Sequence, residues 1–292
     1  MYRKAAGAVL AGGLLCGTAA CTDGSGQAAG RKPARTTAQK PVEVTPAVAV
    51  KRASDKNGKL ASVSYTMNGQ VPGGVRVEGR AAVSFKPLAM SMKMKQRGAG
   101  NGADVEVRLV DGAMYLNGGR EAAAEMDGKS WLKFDFKALG KATGGQDPLA
   151  GLGSQADRNP AEDSASLTAA KDLEKVGEET VGGVTITHYK GTVTPARMRE
   201  SLRNVDAATR KRRERGLERY EQMGIKALTM DMWIDGEDRT KRFRTRAASA
   251  QGPLDLTITF LDYDKPVTVA APPASATTDL AEMFKGMKSG RA

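Results

Sequence analysis

The feature that most constrains this chain is a strict two-residue alternation over residues 226–270, KALTMDMWIDGEDRTKRFRTRAASAQGPLDLTITFLDYDKPVTVA. Successive side chains of a strand point to opposite faces of its sheet. Leu228, Met230, Met232 and Ile234 therefore share one face, and Thr229, Asp231, Trp233 and Asp235 the other. Asp235-Gly236 supplies a turn, and residues 239–249 run back with Arg242, Arg244 and Arg246 on one side. Gly252-Pro253 ends that strand, after which Leu254, Leu256, Ile258 and Phe260 alternate with Asp255, Thr257 and Thr259. Three such strands in a row predict an antiparallel sheet with one dry and one wet face.

The same pattern recurs upstream. Ala61, Val63, Tyr65 and Met67 alternate with Ser62, Ser64 and Thr66, and Val75, Val77, Gly79, Ala81, Val83 and Phe85 form the cleanest row. Met90, Met92 and Met94 alternate with Ser91, Lys93 and Lys95, and Val105, Val107 and Leu109 follow. Asp111-Gly112 turns into 113–117, which carries Met114, and Asp127-Gly128 leads into 129–136. Short Gly- and Asn-containing turns between these segments predict a meander.

Between the alternating stretches the reading changes. Thr45-Pro46 opens a short helix to about residue 56, with proline at its first position. Residues 137–164, rich in Gly, Asp and Ala, predict a long loop with a short helical piece at 148–152. Residues 165–176 read as a weak helix, and 181–194 as a strand entered through Gly182-Gly183. Thr194-Pro195 caps one long charged helix to about residue 223. Residues 273–292 read as a loose tail with a helical turn or two.

The N-terminus sets the location. Met1-Tyr2-Arg3-Lys4 is positively charged, Ala5 to Leu15 is a short apolar run, and Gly17-Thr18-Ala19-Ala20 leads into Cys21. That run is too short to span a bilayer and reads as an export signal. Small residues before a cysteine resemble the bacterial lipobox, whose cysteine is lipidated, although Thr18 stands where that pattern prefers Leu. The competing reading is an ordinary signal peptide in which Cys21 is incidental. The organisation expected is a signal peptide over 1–20, lipidated Cys21 with a flexible linker over 21–44, a domain over 45–272 and the tail over 273–292. A linker of this length reaches roughly 25–30 Å from its anchor. Cys16 lies in the removed segment, so the mature chain has no thiol besides the anchor and no disulfide. The formal charge of +12 points to acidic partners. In an exported protein these are anionic headgroups and wall polymers, not nucleic acid.

Catalytic chemistry is hard to place. The chain has one histidine, His188, within a strand, and no serine in a nucleophile elbow. One histidine and no spare cysteine do not make a zinc site. Gly98-Ala99-Gly100-Asn101-Gly102 has no helix after it and reads as a hairpin turn. Asp147, Asp157, Glu162 and Asp163 fit no calcium-loop spacing. The expectation is a protein that is not an enzyme and uses no metal or cofactor.

The dry face is rich in methionine and interrupted by very small residues such as Gly79 and Ala81, while the helical segments are few, short or highly charged. Unbranched, polarizable methionine suits a lining that adapts to variable apolar ligands; a Met-rich filled core is the other reading. The helix with Arg197, Arg199, Arg203, Arg210, Lys211, Arg212, Arg213, Arg215 and Arg219 also has two readings. It rests on an anionic surface, or it is a solvated face laced by Glu200, Glu214, Glu218 and Glu221.

Three stretches carry a family resemblance: Gly177-Glu178-Glu179-Thr180-Val181-Gly182-Gly183-Val184 running into His188-Tyr189-Lys190-Gly191; Met232-Trp233-Ile234-Asp235 with the Arg-rich strand after it; and Phe260-Leu261-Asp262-Tyr263-Asp264-Lys265-Pro266-Val267, closing near Pro272. With the order of elements, they resemble the actinobacterial LppX/LprG lipoprotein family, related in fold to the LolA and LolB carriers. The resemblance covers about residues 45–272 and implies an α+β fold, a curved antiparallel half-barrel whose open face is capped by helices around an apolar lipid-binding cavity. It supplies no catalytic set, so lining residues are nominated from the alternation. They are Val63, Tyr65 and Met67; Val77, Gly79, Ala81 and Val83; Met90, Met92 and Met94; Val107 and Met114; Leu228, Met230 and Met232; and Leu256 and Ile258. Ala81, mid-row, is expected to face open space. The function expected is a monomeric lipoprotein, anchored to the outer face of the cell membrane through Cys21, that binds a lipid or lipidated molecule, with carriage across the envelope as its further role. The alternative is a sensor or scaffold that binds another envelope protein.

Overall fold

The alternating segments become strands of a single twelve-stranded sheet. The structure, a computed structural model, describes residues 44–98, 102–142 and 164–289. Cys21, the linker, the helical piece expected at 148–152 and the acidic residues of the mid-chain loop lie outside them. Helix α1 (Pro46–Asn57) precedes a first meander of β1 (Ser62–Val71), β2 (Val75–Phe85), β3 (Leu88–Arg97), β4 (Ala103–Val110), β5 (Ala113–Asn117) and β6 (Trp131–Asp135). Helix α2 (Gly119–Glu125) bridges β5 and β6, and α3 (Phe136–Ala142) follows β6. A 3₁₀ turn (Ser164–Ala169) leads into a second meander of β7 (Glu174–Val181), β8 (Val184–Val193), β9 (Leu228–Asp235), β10 (Thr240–Ala247) and β11 (Leu254–Tyr263). Helices α4 (Pro195–Ser201) and α5 (Ala207–Gln222) are inserted between β8 and β9.

With β12 (Thr277–Asp279) near the C-terminus, the strand order is β12-β6-β5-β4-β3-β2-β1-β11-β10-β9-β8-β7, so the two meanders are stitched by the antiparallel pair β1 and β11. That seam sets Tyr65 against Phe260 and Met67 against Ile258. The sheet is open, ending at β12 and β7. It is an α+β fold of the expected kind; α3 occupies residues where the start of the long loop over 137–164 is expected, and four further local corrections follow.

The first correction is that the sheet is mixed. Residues expected as a loose tail form β12 (Thr277–Asp279), parallel to β6, and then α6 (Leu280–Ser289). Lys133 Nζ donates to Asp279 Oδ2 at 2.9 Å, and Ala281 is buried. So short a strand shows no alternation, which is why the sequence conceals it. The second is that the weak helix expected at 165–176 is a 3₁₀ turn followed by β7. All but Gly177 of that edge strand's residues are exposed, so it has no buried apolar row to give a period of two. The Gly182-Gly183 turn, with φ of 59° and 78°, suits a tight hairpin.

The third is that the long charged helix is two. Thr194 caps α4 by accepting the Arg197 N–H at 3.3 Å, and Asp206 caps α5 by accepting the Thr209 N–H at 2.9 Å. Arg210 reaches back from α5 to the carbonyls of Leu202, Arg203 and Val205, satisfying backbone acceptors at the break. The fourth is that the wet face is not wet throughout: Asp231, Trp233 and Asp235 are buried there.

On the inner face one apolar cluster joins strands from both meanders to Ala49, Val50 and Ala53 of α1, Leu139 of α3 and Leu167 of the 3₁₀ turn. Helix α1 and the 3₁₀ turn sit toward β8, β9 and β10, and α3 and α6 toward β6. A buried polar knot pins the first group. Asn57 Nδ2 donates to Thr240 Oγ1 at 2.8 Å and to Ser164 Oγ at 3.3 Å. Close approach there needs Gly191, whose added Cβ would lie 2.6 Å from Ala170 Cβ.

Candidate functional site

Register resolves the inner face into rows that run across the strands, successive rows being about 7 Å apart. One row pairs Phe134, Met114, Leu109, Met90, Val83 and Val63 in turn. Every member is buried, between 1% and 8% exposed. Two rows further along the same strands lie Val105, Met94, Gly79, Met67 and Ile258. All five are half-buried. The middle row is a hybrid: Val107, Ala81, Tyr65 and Phe260 are buried, while Leu132, Leu116 and Met92 are half-buried. The apolar face therefore closes at the Val63 end and opens toward Met67 and Met94.

The helices are unevenly placed across the sheet. The described helices gather toward β8–β10 on one side and β6 on the other. The middle strands have apolar side chains on that face without described helices making comparable contacts there. Gly79 matters sterically: an added Cβ would lie 3.2 Å from Met67 Cγ and 3.0 Å from the Lys93 carbonyl oxygen. Met67 Cγ thus sits close over Gly79, where a larger residue would displace it.

The nominated lining residues divide accordingly. Met67, Gly79, Met92, Met94, Leu256 and Ile258 lie in the half-open region. Val63, Tyr65, Val77, Val83, Met90, Val107 and Met114 are buried, as are Leu228, Met230 and Met232. Ala81 is 1% exposed and packed within the core, so it does not face open space. Val105, Leu116 and Leu132 belong with the half-open set and were not nominated, although their two-residue parity with Val107, Met114 and Phe134 is the signal that identifies them.

The outer face is held by charge. Asp231, 3% exposed, stands 2.9 Å from His188 Nε2 and accepts from Arg246 at 2.6 Å. The His188 ring stacks on Trp233 at 4.2 Å, and the Trp233 indole N–H donates to Glu179 at 2.8 Å. His188 is therefore engaged in a structural network on the face away from the apolar rows. At the β9–β10 turn, burial acts to raise the Asp235 carboxyl pKa. The backbone N–H of Arg239, its guanidinium and the Glu237 N–H more than offset this and hold it below the usual carboxylate range. Burial pushes the Tyr263 hydroxyl well above the ordinary tyrosine range while it donates to the Thr240 carbonyl. Among the described residues no helix is long and apolar enough to cross a membrane, and no His, Cys, Asp and Glu cluster is placed to hold a metal.

No protein-family model matches the chain. It is 28% identical over 255 residues to an uncharacterized 31.2 kDa protein of the rplA–rplJ intergenic region of Streptomyces griseus, a match covering 83% of this chain and 82% of the relative. It is 27% identical over 186 residues to a Streptomyces coelicolor protein named as a candidate lipoprotein, covering 63% of this chain and 54% of the relative. Among solved structures it is similar to LprF from Mycobacterium bovis, with a TM-score of 0.46 and 17% identity over 78% of this chain and 96% of that one. It is also similar to LppX from Mycobacterium tuberculosis, with a TM-score of 0.44 and 16% identity over 77% of this chain and 98% of that one. LppX is named as a lipoprotein.

Proposed function

We propose that this chain is an extracytoplasmic lipoprotein, anchored through Cys21, that shelters the acyl portion of a lipid or lipidated molecule on the inner face of its sheet. The observation that carries the reading is the half-buried row Val105, Met94, Gly79, Met67 and Ile258, continuous with a fully buried core. Its five strands span four inter-strand steps, about 19 Å. That is comparable to the roughly 15 Å of hydrocarbon in one bilayer leaflet. Each methylene sheltered there is worth about 0.8 kcal/mol. The candidate-lipoprotein name of the Streptomyces coelicolor relative supports the anchor.

Mass spectrometry of organic extracts from the purified protein tests the proposal. Lipid is expected in the wild type. Met94→Glu, at a half-buried position, should lose lipid while the unfolding temperature moves by only a few degrees. A wild-type protein that carries no lipid and takes none up from vesicles would refute the reading. The rival reading, a scaffold for an envelope protein, draws on the unpaired edge of β7, where Val176 and Val181 are exposed beside Val184. It predicts a partner lost on Val176→Lys with lipid content unchanged.

A further inference from the structure

The face opposite the apolar rows carries a second feature, independent of lipid binding. A groove of about 640 Å³ lies over the outward residues of β3, β2, β1, β11 and β10. Its floor is made of short polar side chains, Asn68 and Gln70 from β1 with Thr257 from β11. Its flanks are long cations, Arg76, Lys95 and Arg97 on one side and Arg244 on the other. Register continues both flanks along the strands. Arg80 lies four residues beyond Arg76 on the same face, with Glu78 between them, and Arg242 lies opposite Thr259. The flanking strands β2 and β10 are three inter-strand steps apart, about 14 Å.

Part of this charge is already committed. Arg244 holds Asp255 through two hydrogen bonds, and Arg97 meets Asp104 at 2.9 Å. Glu78 also lines the groove. Arg76, Arg80 and Lys95, all exposed, make no salt bridge among the described residues. Cations therefore outnumber acids in the lining, and Arg76 and Lys95 stand on neighbouring strands two residues apart in register, about 7 Å along the strand direction.

We infer that this groove binds an extended polymer bearing regularly spaced phosphate or carboxylate groups, laid along β1 and β11 between the two cation flanks. A single small anion would meet one flank, whereas a chain of spaced anions can meet both along their length. The recessed polar floor offers hydroxyl and amide partners to a polyol or sugar backbone. A flat bilayer surface would not reach that floor, and among the described residues the groove lining has no aromatic ring on which a nucleobase would stack.

Binding of the purified protein to long-chain inorganic polyphosphate, polygalacturonate and neutral dextran tests this, at low ionic strength and at about 0.15 M salt, where the Debye length is about 8 Å. The polyanions should bind and dextran should not. Binding of only one polyanion would keep the site and identify its anion. The double variant Arg76→Gln/Lys95→Gln should lower the slope of log affinity against log salt by about 1.5, the order expected for two lost charge contacts. Lys51→Gln/Lys59→Gln, which removes equal charge at α1 and the turn after it, should leave binding unchanged, and thermal unfolding should confirm that both variants are folded. Equal binding to dextran, equal loss in the two double variants, or tighter binding to anionic vesicles or single-stranded DNA would overturn the assignment. Lipid content is a separate readout, so this test and that of the lipid site fail independently.

Discussion

At the scale of single residues, Asp231 shows how this sheet places charge. Its carboxylate is buried but satisfied by His188 and Arg246, and an acceptor with two such donors is costly to remove. Asp231→Ala should destabilise the fold by about 2 kcal/mol, read as a lower urea midpoint with little change in slope. The pH dependence follows from the aspartates whose pKa is depressed. The Arg244 guanidinium lowers Asp255, and donors at the β9–β10 turn lower Asp235 despite burial. A depressed folded-state pKa contributes stability above the unfolded value of about 3.9, which is lost as pH falls through the folded value. Urea midpoints should therefore hold steady down to about pH 5 and fall steeply below about pH 4, less so in Asp235→Asn once its lower starting stability is subtracted. Parity made Asp231 visible as an outward residue. It could not show the burial, because that comes from neighbours in β8 and β10 whose order in the sheet is not local information.

At the scale of elements, what could be read in advance depended on how each element is buried. Strands β1 and β2 present one face to the core and the other toward solvent, so their alternation is plain in the residues. Strand β7 has nothing to alternate, β12 is three residues long, and the break between α4 and α5 rests on one Asp206 cap. The same limit applied to the apolar site. Parity identified the inward rows, but it does not divide the closed Val63 row from the open Met67 row, which are both apolar and differ in burial. The C-terminal elements offer a direct check. Ending the chain after Pro272 removes β12 and α6, unpairs one edge of β6 and leaves Lys133 without Asp279. A loss of about 3 kcal/mol is expected, near 6–12 °C in unfolding temperature, whereas a loose tail would leave it unchanged.

At the scale of the whole molecule, the two faces divide the proposed work: apolar rows shelter a lipid inside, and charge is displayed outside. The proposed anchor holds both near a membrane. If Cys21 is diacylated, Cys21→Ser should move the protein from the membrane fraction to the soluble one, because a single chain would bind only marginally.

The β1–β11 seam bears on biogenesis. Val63 and Met67 find their sheet partners at Tyr263 and Ile258, so the central pairing joins segments almost two hundred residues apart. The first meander leaves the ribosome with β1 unpaired on one side, and it stays so until β11 has been synthesised. Such distant pairings are slow to form, since loop closure must come first. The seam thus keeps the sheet unfinished for most of synthesis, which would suit the proposed export, since a chain that must cross a membrane unfolded gains from a sheet that closes late.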